Sequence, residues 1–134
     1  MTISDFRAGL STNLATISGL RVASEIPDNP SPPIAVISLQ SVSYDGAFAK
    51  GLTTYSFIVT VIVGRAAERE AQRRLDAYSS ATGNQSVKLA IESDKTLNNK
   101  AFDVRCSEMS NISAVLLGEA TYMMADFVVT VYAN

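Results

Sequence analysis

The chain has 134 residues, 47 % of them apolar, with a formal net charge of −2 and a pI of about 5.0. That length suits one domain that buries a core without covalent staples, and the acidic balance argues against an autonomous nucleic-acid binder. Histidine and tryptophan are absent and Cys106 is the single cysteine, which excludes His-based triads, the commonest zinc ligand and an internal disulfide.

Phe6, Leu10, Leu14 and Ile17 recur at helical spacing and predict an amphipathic helix over residues 3–17. Thr2 and Asp5 resemble a capping box, and Gly19 supplies the stop. The opening "MTISDFRAGL" carries an acid and no apolar run of signal-peptide length, and no stretch approaches a membrane span. "LRVA" (20–23) reads as a short strand. All four prolines then fall within "IPDNPSPPIAVISL". Proline fixes φ and donates nothing to a ladder, so Pro27 to Pro33 predict a rigid, extended connector that delivers the chain to a sheet edge. Residues 33–45 read as a strand, 46–51 as a loop bounded by glycines, and 52–63 as a second long strand. On that strand Tyr55, Phe57, Val59, Val61 and Val63 make a wholly apolar face, opposite a mixed one, which predicts a sheet with one side on a core.

A helix is predicted over 65–79, with Ala67, Ala71, Leu75 and Tyr78 on its apolar side. Arg65, Arg69 and Arg73 line the other side at i, i+4, i+8, with Glu68 and Glu70 spaced to pair with them or with Arg74. A shorter helix (86–93) turns Val87, Ala90 and Ile91 inward. Strands follow at 102–110, 112–118 and 120–133, the last with Met123, Ala125, Phe127, Val129 and Val131 on one face. Blocks of strands and helices predict an α+β fold: an antiparallel or mixed sheet with helices mainly on one face, as a single domain over 1–134.

No catalytic, cofactor or metal site emerges. Gly46 to Gly51 has the spacing of a phosphate loop, but Lys50 precedes the second glycine and Leu52 follows it. Glu92, Asp94, Asp103 and Glu108 read as solvated carboxylates rather than an oxygen metal site. A Ser or Thr nucleophile would need a lysine base, and nothing pairs one with Lys50, Lys88, Lys95 or Lys100. The unusual feature is the second sheet face: Thr54, Ser56, Ile58, Thr60 and Ile62 beside Tyr122, Met124, Val128, Thr130 and Tyr132. It is too apolar and too poor in charge for a free solvent face, Asp126 being the exception. Either a second layer or a neighbouring subunit covers it. The arginine stripe reads as a solvated helix face or as a subunit contact.

In order, the segments "ISGLRVASEIPDNPSPPIAVI", "SYDGAFAKGLTTYSFIVTVIVGRAAEREAQRRLDAY", "SVKLAIESDKTL" and "FVVTVYAN" resemble the tail terminator proteins of long-tailed bacteriophages, closest to those of actinobacterial siphophages. The resemblance rests on order and spacing across nearly the whole chain. Asn98 and Asn99 stand where such proteins tend to have a glycine-rich turn, and residues 105–120 fit loosely. It implies a non-enzymatic homo-hexameric ring at the tail–neck junction of the virion, assembled in the host cytoplasm. The ring caps the tail tube, ends its polymerisation and meets the head–tail stopper on its other side. DNA passes through the lumen without specific binding, and no membrane is involved. The loop Tyr44–Gly51, with Tyr44, Asp45, Phe48 and Lys50, and the stripe Arg65, Arg69, Arg73 are the expected contacts between subunits or rings. Related folds serve several such positions, so a stopper or a tube subunit is the alternative within the class. Outside it stands a small-molecule-binding α+β domain, which a large dry pocket would mark.

Overall fold

The computed structural model describes residues 3–17, 19–23, 33–44, 53–65, 67–97, 99–117 and 120–133. Thr2 of the expected capping box, the connector prolines Pro27, Pro30 and Pro32, and the loop residues Asp45, Phe48 and Lys50 lie outside the described residues. The elements are α1 (Ile3–Leu14), β1 (Arg21–Ala23), β2 (Ile34–Ser43), β3 (Thr53–Arg65), α2 (Arg69–Ser79), α3 (Val87–Ile91), β4 (Asp103–Leu117) and β5 (Ala120–Ala133). The strands form one mixed sheet in the order β1-β2-β3-β5-β4. β1 pairs parallel with β2, and the other neighbours are antiparallel. With three helices this is an α+β single-domain fold.

The alternation along β3 and β5 explains where the core sits. Phe57, Val59, Val61 and Val63 stand opposite or beside Val131, Val129, Phe127 and Ala125 in the antiparallel register, and all are buried. Side chains from all three helices enter the same cluster: Phe6, Leu10 and Leu14 of α1, Ala71, Leu75 and Tyr78 of α2, and Val87, Ala90 and Ile91 of α3. We call this side of the sheet the core face. Removing any one of its large fully buried side chains leaves a hole that the close-packed surroundings fill only in part, at a cost of about 2–5 kcal/mol. Phe6 also meets the half-buried ring of Tyr55, centroids 4.8 Å apart and tilted by 55°, which ties α1 to β3.

Several boundaries differ from the sequence expectation, β1, β2 and β3 by one or two residues at an end, and four of the differences have a visible physical reason. α1 stops at Leu14 rather than 17, and the last turn tightens through bonds from Thr16 N to Asn13 O (3.2 Å) and Ile17 N to Leu14 O (3.1 Å). Gly19, at φ 86°, then reverses the chain in a conformation that only glycine adopts cheaply. The helix expected from residue 65 starts at Arg69, because β3 runs on to Arg65, which pairs with Tyr122 of β5. A partner strand outweighs the helix propensity of an Arg–Ala–Ala–Glu run. The two strands expected at 102–110 and 112–118 are one, β4, with register shifts between Cys106 and Glu108 and between Ser110 and Ser113. Asn111, at φ 54°, takes up the second irregularity. Finally, α3 covers Val87–Ile91 rather than 86–93, with Ser86 as its cap accepting from Leu89 N at 3.2 Å.

Candidate functional site

The described members of the expected interface set, Tyr44, Arg65, Arg69 and Arg73, do not form one site. Ser43 pairs with Thr54, so Tyr44, 74 % exposed, stands at the end of the sheet where β3 begins. Arg65 closes β3 at its other end. Twelve strand steps separate those ends, roughly 40 Å. Arg65, Arg69 and Arg73 are all exposed, but only the last two share a helix, so the three-arginine stripe is split between strand and helix. Arg73 pairs with Glu70 at 3.4 Å on the solvated flank of α2, a contact of small energetic weight. The arginine with a structural task is Arg74: its guanidinium donates to Val63 O at 3.1 Å and binds α2 to the end of β3. Burial raises the Tyr78 hydroxyl pKa, and the neighbouring Arg74 charge opposes that shift.

The second sheet face is built by the other register. Ile34, Ile62, Tyr122 and Met124 form a small buried cluster, with Ala23, Val115 and Ala120 against it. Toward the opposite end of the strands, Ser56, Ile58, Thr60, Val128, Thr130 and Tyr132 are only half-buried. Asp126 is the single carboxylate in the middle of β5, and both its oxygens are occupied. Thr60 Oγ1 donates to one at 2.8 Å and Asn111 Nδ2 to the other at 3.2 Å. Donors from the strands on either side thus hold that charge where it sits. Across the middle of β2, β3 and β5 the rest of this face offers hydroxyls and half-buried aliphatic groups.

Three further polar clusters were not legible in the sequence. Asn13, only 4 % exposed, lies on the buried stripe of α1 and donates to Ile91 O at 2.9 Å and to Asp94 O at 3.1 Å, capping α3 from across the core. Its position three residues after Leu10 was the available signal. Lys88, Glu92 and Cys106 form the second cluster. Lys88 Nζ donates to Glu92 Oε2 at 2.7 Å and to Cys106 O at 3.2 Å, and Cys106 N donates to Glu92 Oε2 at 2.9 Å. Burial alone would raise the Glu92 carboxyl, but the Lys88 and Cys106 hydrogen bonds outweigh it and hold the group below the usual carboxylate range. Burial pushes the Cys106 thiol up to about 11, which makes it a packing residue rather than a nucleophile. The third is an open groove of about 490 Å³ between α1 and the segment 94–100, lined in part by Asp5, Gly9, Thr12, Asp94 and Lys100.

Among the described residues no group of three or more acidic or cysteine side chains is placed to hold a metal ion. Glu92 is bound to Lys88, Asp103 pairs with Arg105 at 3.2 Å, and Asp94 accepts from Thr96 N and Oγ1. No described helix is long and apolar enough to cross a membrane. Comparison with protein-family models gives no match, and comparison with curated proteins gives none either.

Proposed function

We propose that the chain is a structural, non-enzymatic virion protein. Six copies form a ring that caps a phage tail tube, ends its growth and joins it to the neck, with DNA passing through the lumen. The sequence resemblance supplies the specific reading. The structural observation that supports it is the second sheet face, where the middle of β2, β3 and β5 presents aliphatic and hydroxyl side chains and one tethered carboxylate, the other charges standing at its margins, Arg65 at the end of β3 and Asp103, Arg105 and Glu108 on β4. A protein that works alone usually protects such a face with charge or covers it with a layer of its own. A ring subunit has neighbours to cover it. Tail-tube protein on one side and the stopper on the other are the partners of this reading. The split of the expected contacts fits a subunit that meets different neighbours at its two ends. Tyr44 is exposed at one end, and Arg65, Arg69 and Arg73 are exposed from the other end onward.

Electron cryomicroscopy of the virion tests this. The expected result is this chain at the tail–neck junction with six-fold symmetry. Any other symmetry at its position, or density for it elsewhere in the particle, refutes the reading.

A further inference from the structure

The sheet has two edges that nothing in the described subunit closes, and they are not alike. On one side β1 covers only Ile34–Val36 of β2, so Ile37–Ser43 has no outer partner strand among the described residues. On the other side β4 is the last strand among the described residues. Neither edge segment is guarded by charge or proline, though each holds one register irregularity, between Leu39 and Ser41 on β2 and between Ser110 and Ser113 on β4. Residues 34–44 contain no charged residue and no proline, and neither do residues 109–117. An edge of this kind is a template for a further strand. Its unpaired N–H and C=O groups specify that the occupant is an extended chain.

Three features identify the occupant as the opposite edge of a second copy. The first is strand direction. β2 and β5 both run antiparallel to β3, and β4 runs antiparallel to β5, so β4 runs opposite to β2. A second copy placed in the same orientation therefore lays its β4 antiparallel to β2 of the first and continues the pattern of the sheet. The second is the matching of faces. Ala114 and Leu116 pair with Met123 and Thr121, which puts them on the core face of β4, where Leu116 is 67 % exposed. On that same face the β2 edge is flanked by a groove of about 140 Å³ lined by Arg7, Ser11, Val22, Ala23 and Ile37. Sheet faces are preserved across an edge-to-edge junction, so the exposed aliphatic residues of β4 arrive on the side where the groove lies. The third is stagger. Met109 stands level with Phe127, Val59 and Ile37, so the uncharged part of β4 is level with β1's end of β2, not with the open part. Joining the two edges displaces successive copies by roughly 20 Å along the strands. A stagger of constant sense is what a sheet needs to curve round on itself.

We infer that residues 109–117 of β4 add, as an antiparallel strand, to the open half of β2 (Ile37–Ser43) of a second copy, with Leu116 seated beside Ile37 and α1 of that copy. The contact is head-to-tail, so every copy retains one free edge of each kind until the chain of copies closes. It rests on the ring reading for the number of copies.

The test uses the full chain with Ser41→Cys and Ser113→Cys. Both positions are exposed and both lie on the second face, and a short bis-maleimide bridges them if the edges meet. Cys106 is buried and its thiol titrates at about 11, so it does not compete. The double variant is expected to give a ladder of cross-linked multimers at millimolar protein. Each single variant gives none, and a mixture of the two singles stops at dimers. Adding Leu116→Lys abolishes the ladder while shifting the monomer Tm by no more than about 2 °C, because the side chain is exposed. Absence of a ladder in the double variant overturns the inference. So does cross-linking of Ser113→Cys alone, which marks a two-fold pairing of β4 with itself. A six-fold ring in the virion with no ladder removes this junction and leaves the ring reading. A ladder closing at another number does the reverse.

Discussion

Replacing Asn13 probes how the helical layer is held together. Its amide is the donor to two backbone carbonyls that belong to the end of α3 and the turn after it, at 2.9 and 3.1 Å, and the residue is only 4 % exposed. Ile91 O lies in the last turn of α3, where no further intrahelical N–H follows to satisfy it. Asn13→Ala removes two hydrogen bonds of about 1 kcal/mol net each and strands a buried acceptor at about 1–3 kcal/mol, partly the same free energy counted twice. The expected loss is therefore about 2–4 kcal/mol, which for a domain of this size lowers Tm by roughly 8–15 °C. Asn13→Asp goes further, because it faces a carboxylate toward two carbonyl oxygens. Burial and repulsion raise the folded-state pKa of that carboxyl above its unfolded value of about 3.9. The sign follows: the folded state binds the extra proton, so this variant loses stability as pH rises from about 4 and levels off above the folded pKa. Urea denaturation followed by circular dichroism, at several pH values, measures both. Thr12→Ala is the control, since its hydroxyl only back-bonds to Ala8 O at the exposed side of α1, and it changes stability by less than about 0.5 kcal/mol. An Asn13→Ala variant as stable as Thr12→Ala would refute the assignment of Asn13 as the link between α1 and α3.

Glu92→Gln is expected to cost about 1–2 kcal/mol at neutral pH by weakening the charged acceptor for Lys88 and Cys106 N. Because the Glu92 pKa is depressed in the fold, its contribution is present above the unfolded value of 4.5 and is lost as pH falls through the folded one. The difference between variant and parent in urea midpoint must therefore shrink below pH 4.5, and a gap independent of pH contradicts it. Gly9→Ala gains up to about 1 kcal/mol of helix propensity. Its new Cβ, however, lies 2.7 Å from Leu97 Cβ and 3.3 Å from Leu97 Cα, on a residue pinned at φ 48° and 1 % exposed. A net loss of about 1–2 kcal/mol in thermal or urea unfolding is expected, and a stabilised variant would show that the segment after α3 yields easily. Arg69→Glu, on the exposed flank of α2, should raise the concentration needed for assembly roughly two- to fivefold at low salt, with the gap closing at high salt. Duplex DNA affinity, followed by fluorescence anisotropy, stays negligible in both forms, and DNA binding by the parent that is lost in the variant assigns the arginines to phosphate instead.

Much of the fold follows from local periodicity. Phe6, Leu10 and Leu14 repeat at the helical period, Tyr55 to Val63 and Met123 to Val131 at the strand period, and each pattern commits one face to the core whatever lies on the other side. Those elements and their inward residues therefore stood in the sequence. What it could not decide was anything set by a partner distant along the chain. Arg65 belongs to β3 rather than α2 because Tyr122 lies opposite it, and the residues from 103 to 117 make one strand because β5 spans both halves and Asn111 absorbs the irregularity. Asn13 reads as a polar interruption until α3 is placed under it, and Glu92 reads as a surface acid until Cys106 N and Lys88 arrive on the same oxygen. The spacing of Arg65, Arg69 and Arg73 was correct only on a continuous helix, and the strand took its first member. Side-chain pattern along a segment records which face is buried, because burial acts residue by residue. Register, strand order and the pairing of open edges depend on backbone groups that every residue shares, and only the assembled sheet assigns them.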